Sequence, residues 1–154
     1  SAAFRAVDWA WVLVGAGIRA ATPGMAELRK AVDALTDPVD PVFVRDFQYS
    51  TVAKPVPETF MQTVLAESHR LDAATWRGVI AGLIAYEAAE PAIRVPTLVV
   101  GGDKDAVFSV DEQRATAAAI RGARAVIVPG VGHTLHWEDP ARFVRELLGF
   151  LRDQ

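Results

Sequence analysis

Two short loops of this sequence carry side chains that could transfer a proton. The first, Gly102-Asp103-Lys104-Asp105, places two carboxylates after an apolar run, and the second, Gly130-Val131-Gly132-His133, places an imidazole after another. A carboxylate can fix the tautomer of a neighbouring imidazole and stabilise the imidazolium that forms when the ring accepts a proton. The two loops would therefore supply a general base and its orienting acid if the fold brings them together.

The apolar run before each loop is typical of a buried parallel strand. Residues 96–102 (PTLVVGG) are apolar, β-branched and ended by glycines, and residues 125–128 (AVIV) stop at Pro129-Gly130. In open α/β sheets, reactive groups collect just beyond the carboxyl ends of neighbouring strands. An aspartate of the first loop and His133 of the second can therefore meet above the sheet.

Helices are predicted between and after these two strands. Ser109 and Glu112 fit a capping box, and the helix that they open is predicted to end with Gly122 as its C-cap. Asp139, followed by a proline, predicts the start of a last helix. The order strand, helix, strand, helix predicts an α/β fold in which residues 91–154 are the C-terminal part of a doubly wound, mostly parallel sheet.

The first part of the chain, residues 1–90, has the pattern of helices joined by proline-rich breaks. Apolar residues recur at helical spacing within residues 25–35, 43–47, 60–65 and 76–84, and Asp40 and Asp72 are predicted N-caps. No convincing strand follows the first twenty residues, so this part is predicted to be helical. Two strands alone would lack partners, and we expect the rest of the sheet to lie elsewhere.

Composition narrows the class of protein. The 154 residues suit one domain, and the absence of cysteine excludes disulfides and thiolate metal sites, as is typical of a cytoplasmic protein. The net charge of −3 and the lack of a basic cluster among aromatic residues argue against nucleic acid. No apolar run reaches the ~18 residues of a transmembrane span, so no membrane partner is expected. The start at Ser1, without methionine, reads as a fragment or a processed end.

Two segments, "IRVPTLVVGGDKDAVFSVDEQ" and "ARAVIVPGVGHTLHWEDPARFVRELLGFL", resemble the acid-bearing and histidine-bearing segments of the α/β-hydrolase superfamily. The resemblance covers about residues 91–152 and implies that Asp105 is the acid and His133 the base. It makes Asp103 a turn residue, although Asp103 stays the competing acid. Residues 1–90 resemble, more loosely, the mobile helical cap of such enzymes. We expect substrate contacts from three residues beside these two loops: Val107, Phe108 and Trp137.

The sequence departs from this superfamily in lacking a Gly-x-Ser-x-Gly nucleophile elbow. Its serines are Ser1, Ser50, Ser68 and Ser109, and none has such a context. The resemblance therefore implies that the nucleophile belongs to a missing N-terminal part, in the same gene product or a second chain, and that this chain alone is inactive. Ester hydrolysis of a small apolar substrate is the expected function. The alternatives are epoxide or haloalkane hydrolysis with an aspartate nucleophile, and a non-catalytic binding module.

Two other motifs are given structural interpretations. A metal site from His133, His136 and Glu138 is not favoured, because no remote ligand cluster completes it, and His136 is predicted to be structural. Gly15-x-Gly17-x-x-Ala20 mimics a dinucleotide-binding fingerprint, but no second strand follows for about seventy residues, as a βαβ unit would require. No cofactor is therefore expected.

Overall fold

The computed structural model describes residues 9–86 and 93–154. Ser1 and the predicted boundary between residues 90 and 91 lie outside these described residues. The strands are β1 (Trp11–Val14), β2 (Thr97–Gly102) and β3 (Arg124–Val128). The helices are α1 (Pro23–Asp33), α2 (Pro41–Ser50), α3 (Glu58–Ser68), α4 (Ala73–Ala85), α5 (Val110–Ala119), α6 (Leu135–Glu138) and α7 (Pro140–Arg152). None of the helices within these two ranges has the length and apolarity to cross a membrane.

The three strands form one parallel sheet in the order β1-β2-β3. Val100 of the central strand is in register with Val14 on one side and with Val126 on the other. Within residues 9–86 and 93–154 the sheet therefore has three strands, and the prediction of two is corrected. The additional strand, β1, lies within the residues that the sequence assigned to the helical cap, and its pairing partner is more than eighty residues away.

Helices cover both faces of the central strand. Leu98 and Val100 pack with Phe150 of α7, whereas Gly101 lies against Gln113 of α5. This alternation follows from the two-residue period of a strand, and full burial on both faces explains the continuous apolar run of β2. The core on the α7 face consists of Leu98, Val100, Val128, Val131, Leu135 and Phe150.

Helices α1 to α4 enclose a second core, built around the indole of Trp76. The rings of Phe43 and Phe47 meet Trp76 edge-on, with centroids 5.4 and 5.1 Å away. The buried members of this core are Met25, Val32, Val39, Val44, Ala73, Trp76 and Ile80. The apolar spacing that predicted these helices therefore marks the faces that pack together.

The predicted helix starts are confirmed at four N-caps. The side chains of Asp40, Asp72, Ser109 and Asp139 each accept a backbone N–H of the first turn, and Ser109 forms the full capping box with Glu112. The predicted end of α5 was two residues late. The helix stops at Ala119, Ile120 is its extended C-cap, and Gly122 takes a left-handed turn (φ +78°) before β3.

Candidate active site

The imidazole of His133 and the carboxylate of Asp105 are hydrogen-bonded at the carboxyl ends of β3 and β2. Nδ1 of His133 lies 3.0 Å from one carboxylate oxygen and 3.2 Å from the other. A carboxylate only accepts hydrogen bonds, so Nδ1 carries the proton, and Nε2 is left with a lone pair that can accept one. The Asp105 side chain is 1% exposed and that of His133 26% exposed, so the carboxylate is shielded while the imidazole remains accessible.

Backbone and side-chain contacts hold Asp105 in place. One carboxylate oxygen accepts the amides of Val107 (2.7 Å) and Phe108 (3.0 Å), which fixes the plane of the group. The buried side chain of Gln113 donates through Nε2 to the carbonyls of Gly102 (3.0 Å) and Phe108 (2.8 Å). Gln113 therefore ties together the two ends of the loop that carries Asp105.

A close approach of two loops brings the histidine over the central strand. A Cβ atom on Gly102 would collide with the carbonyl of Val131, so only glycine allows the histidine loop to cross the end of β2 there. The amide of Lys104 donates to the same Val131 carbonyl (2.9 Å). Asp103, the competing acid, accepts the Gly130 amide (2.6 Å) and so joins the two turns. Asp105 therefore lies beside His133, while Asp103 supports the loops.

Glu138 anchors the histidine loop to the helical part of the chain. Its Oε2 accepts the amides of Ala53 and Lys54, both at 2.8 Å, and its two oxygens each lie 3.0 Å from the Gly132 amide. The amide of His133 also donates to the carbonyl of Thr51 (2.9 Å). The segment after α2 and the histidine loop are thus joined through backbone groups on both sides.

The sequence did not indicate these roles of Glu138 and Gln113. In the sequence Glu138 appears only as a member of the metal site that was not favoured, and Gln113 was not singled out. The signal available for Gln113 was its position in the first turns of the helix that begins just after the acid loop. The partners of Glu138 on the other loop are 84 and 85 residues away, and no local pattern predicts them.

The three predicted substrate contacts lie at different places. Phe108 is buried, with its ring centroid 6.1 Å from that of His133. Val107 lines a cavity of about 130 Å³ between the acid loop and the helices α1 and α2. Trp137 packs edge-on against Phe60 of α3, with centroids 5.4 Å apart. Val107 and Phe108 are therefore adjacent to the acid–base pair, while Trp137 joins the histidine loop to α3.

His136 has a different environment from His133. Its ring packs near those of Trp137 (5.5 Å) and Phe143 (6.1 Å). Burial, and to a lesser extent the nearby His133, lower the pKa of His136 below its ordinary value. Among the described residues, no three histidine or carboxylate side chains come together as a metal site.

The fold and these segments place the chain among known proteins. A family model described as "Alpha/beta hydrolase family" matches residues 2–146. An esterase from Exiguobacterium antarcticum is 19% identical with a TM-score of 0.78, and the match covers 92% of this chain and 56% of that one. A bromoperoxidase from Bacillus anthracis is also 19% identical, with a TM-score of 0.76 and coverage of 92% and 57%. A thermophilic esterase from Thermogutta terrifontis is 23% identical, with a TM-score of 0.61 and coverage of 93% and 56%.

At these identities the structural likeness concerns the fold alone. The chain spans little more than half the length of these three solved structures. No curated protein matches the chain. The family model covers most of the sequence, including β2, β3 and both loops of the acid–base pair. The chain therefore belongs to the alpha/beta hydrolase family.

Proposed function

We propose that these 154 residues supply the general base and the orienting acid of a hydrolase that cleaves esters of small, apolar substrates. The observation that carries this proposal is the hydrogen bond of 3.0 Å between His133 Nδ1 and a nearly fully buried Asp105 carboxylate. Such a pair holds Nε2 ready to accept a proton and stabilises the imidazolium that results. A buried acid beside an accessible base is the arrangement that this chemistry requires.

The proposed reaction proceeds in two stages. Nε2 of His133 takes the proton of a nucleophile that attacks the ester carbonyl, and the imidazolium then gives this proton to the departing alcohol. In the second stage Nε2 takes a proton from water, the hydroxide cleaves the acyl intermediate, and the proton returns to the nucleophile. Asp105 remains ionised throughout and stabilises the charged ring.

The nucleophile in this proposal lies outside the 154 residues. The described serines have structural hydrogen bonds: the hydroxyl of Ser50 donates to the Phe47 carbonyl, that of Ser68 donates to the Val64 carbonyl, and Ser109 caps α5. The three-stranded sheet and the coverage of just over half of each solved relative agree with a nucleophile on a further segment. We call these residues together with that segment the assembled hydrolase.

The cavity lined by Val107, two residues after Asp105 in the acid loop, fits a small, apolar substrate group. Its volume is about 130 Å³, and its walls are mainly apolar side chains, among them Met25, Leu28, Phe47 and Val107. Apolar walls with few polar groups favour an aliphatic portion of a ligand over a charged one. Two of the three similar structures are described as esterases, which is consistent with the proposal without assigning a substrate.

The first test is whether the further segment exists. Mass spectrometry of the protein purified from its source should reveal a longer polypeptide or a second chain that contains a nucleophile elbow. A folded, monomeric chain of only these residues would contradict the assembled hydrolase and favour a binding module. If the further segment is found, the central residue of its elbow distinguishes the two hydrolase classes: serine indicates an esterase, and aspartate indicates an epoxide or haloalkane hydrolase.

The second test compares His133 with the neighbouring His136 of α6. In the assembled hydrolase, His133→Ala should lower kcat for a short-chain p-nitrophenyl ester by roughly 10⁴-fold or more, because the general base is lost. His136→Ala is the matched control and should leave kcat within about tenfold of the wild type. Near-normal turnover by His133→Ala would refute the proposed role.

A further inference from the structure

The segment Gly15-Ala16-Gly17, which follows β1, lies directly against the candidate base. A Cβ atom on Gly15 would lie 2.6 Å from the backbone oxygen of His133. The same atom would lie 3.0 Å from Nδ1 of the ring and 3.1 Å from Cε1. The first of these distances is shorter than carbon–oxygen contacts allow, so any side chain at position 15 would displace His133.

The backbone of Gly15 is itself fixed against the sheet. Its amide donates to the carbonyl of Val100 on β2 (3.0 Å), and its φ of +52° lies in the left-handed region. Gly15 is thus held to the strand that carries Asp105 at its carboxyl end. The ring atom nearest to the Cβ position is Nδ1, which is also the atom that bonds to Asp105.

Gly17 makes a similar approach to the neighbouring aromatic residue. A Cβ atom there would lie 2.5 and 2.6 Å from two ring carbons of Phe108. Phe108 in turn lies beside His133. The two glycines that mimic a dinucleotide-binding fingerprint therefore allow this segment to pack against the acid–base pair and its aromatic neighbour.

We propose that Gly15 is a positioning residue for His133. Because Gly15 has no side chain, the imidazole packs directly against its backbone with Nδ1 directed at Asp105. The inference rests on the proposed function, since positioning matters for catalysis only if His133 is the base. The opposing interpretation is that Gly15 is required only by its left-handed backbone. Gly122 distinguishes the two interpretations, because its backbone is also left-handed (φ of +78°) but no atom lies within 4 Å of a Cβ position there.

The test measures the tautomer of His133 in the full chain, labelled with ¹⁵N-histidine, by two-bond ¹H–¹⁵N correlation spectra in mildly alkaline buffer. The wild type and Gly122→Ala should hold His133 as the Nδ1–H tautomer. Gly15→Ala should lower the ratio of the Nδ1–H to the Nε2–H tautomer by roughly tenfold, as expected for the loss of one hydrogen bond. Asp105→Asn provides the reference spectrum for a ring without its acid.

A second pair of variants covers the case in which Gly15→Ala does not fold. Asparagine tolerates a positive φ better than alanine but still carries a Cβ atom. Gly15→Asn should therefore disturb the His133 tautomer, whereas Gly122→Asn should not. A wild-type tautomer in a folded Gly15 variant would overturn the proposal, and so would failure of both Gly15 variants to fold when both Gly122 variants fold.

These spectra do not depend on turnover, so the two proposals can fail separately. A disturbed tautomer together with an active His133→Ala hydrolase would leave the positioning contact intact and remove the proposed function. An undisturbed tautomer together with an inactive His133→Ala hydrolase would remove the positioning role of Gly15 and leave the proposed function intact.

Discussion

Removal of the Glu138 carboxylate should destabilise the chain strongly, because one side chain joins two distant loops. Its oxygens accept the amides of Ala53, Lys54 and Gly132 at 2.8 to 3.0 Å. Glu138→Ala removes every one of these acceptors. Glu138→Gln keeps the side-chain length and one neutral acceptor oxygen, but it loses the charge.

The magnitude follows from what happens to each amide. A hydrogen bond to a charged group contributes about 1.5–3 kcal/mol net. Ala53 is exposed and its amide can bind water instead, whereas Gly132 is buried and its amide would lose its partner. We therefore expect Glu138→Ala to lower the free energy of unfolding by about 2–4 kcal/mol and Glu138→Gln by about 1–2 kcal/mol. At about 2–4 °C per kcal/mol, the Tm of the alanine variant should fall by roughly 5–15 °C.

Urea unfolding followed by far-UV circular dichroism measures this loss. Glu67→Ala is the matched control, since Glu67 pairs with Arg70 on the exposed surface of α3, and it should change stability by no more than about 0.5 kcal/mol. The m-values of wild type and variants should agree, which shows that the unfolded states are comparable. A Glu138→Ala variant as stable as the Glu67→Ala control would refute the role of Glu138 as an anchor.

Three further predictions concern other parts of the fold. Gln113→Leu should lower the unfolding free energy by about 2–4 kcal/mol, because two carbonyls of the acid loop lose their buried donor; stability unchanged in urea would contradict this. Gly78→Ala should raise the free energy of unfolding by about 0.5–1 kcal/mol, since Gly78 is an exposed helical residue with space for a Cβ atom. A lower Tm in this variant would contradict the prediction. His136 should titrate at a lower pH in the folded chain than in urea, as followed by ¹H NMR, because its folded pKa is depressed. The contribution of His136 to the free energy of unfolding is therefore present above its pKa in the unfolded chain and is lost as the pH falls through its pKa in the folded chain. A titration midpoint in the folded chain equal to or above that in urea would contradict the prediction.

Local sequence patterns predict the elements that end at the acid–base pair. β2 is apolar throughout because helices cover both its faces, and this leaves a run that can be recognised without the structure. The caps at Ser109 and Asp139 are visible because capping needs a particular side chain within three residues of the helix start. Once both strands were recognised, the rule for strand ends brought an aspartate of the first loop close to His133. The family resemblance then selected Asp105 over Asp103, and Asp105 is the residue that bonds to His133 in the structure.

Contacts between distant segments could not be predicted in this way. β1 has only four residues, with Trp11 exposed, and its strand character depends on pairing with residues 97–100. The contact of Gly15 could not be predicted either, because His133, whose backbone oxygen and ring lie against it, is more than a hundred residues further along the chain. Such requirements depend on tertiary packing and leave no periodic signal.

The helical part and the sheet meet at the candidate active site. The Thr51 carbonyl holds the backbone of His133, and Glu138 holds the segment that follows α2. The cavity lined by Val107 has walls from both α1 and the acid loop. A change in the position of the helices would therefore reach His133 and Asp105 through backbone contacts.

The choice between the two neighbouring aspartates tests the central claim most directly. In the assembled hydrolase, Asp105→Asn keeps the size of the side chain but no longer fixes the Nδ1–H tautomer, and kcat for a short-chain ester should fall by roughly 10³–10⁴-fold. Asp103→Asn is the matched change in the same turn, where the side chain only joins two loops, and it should retain kcat within about tenfold. Equal losses in the two variants, or a greater loss in Asp103→Asn, would contradict the assignment of Asp105 as the acid that orients His133.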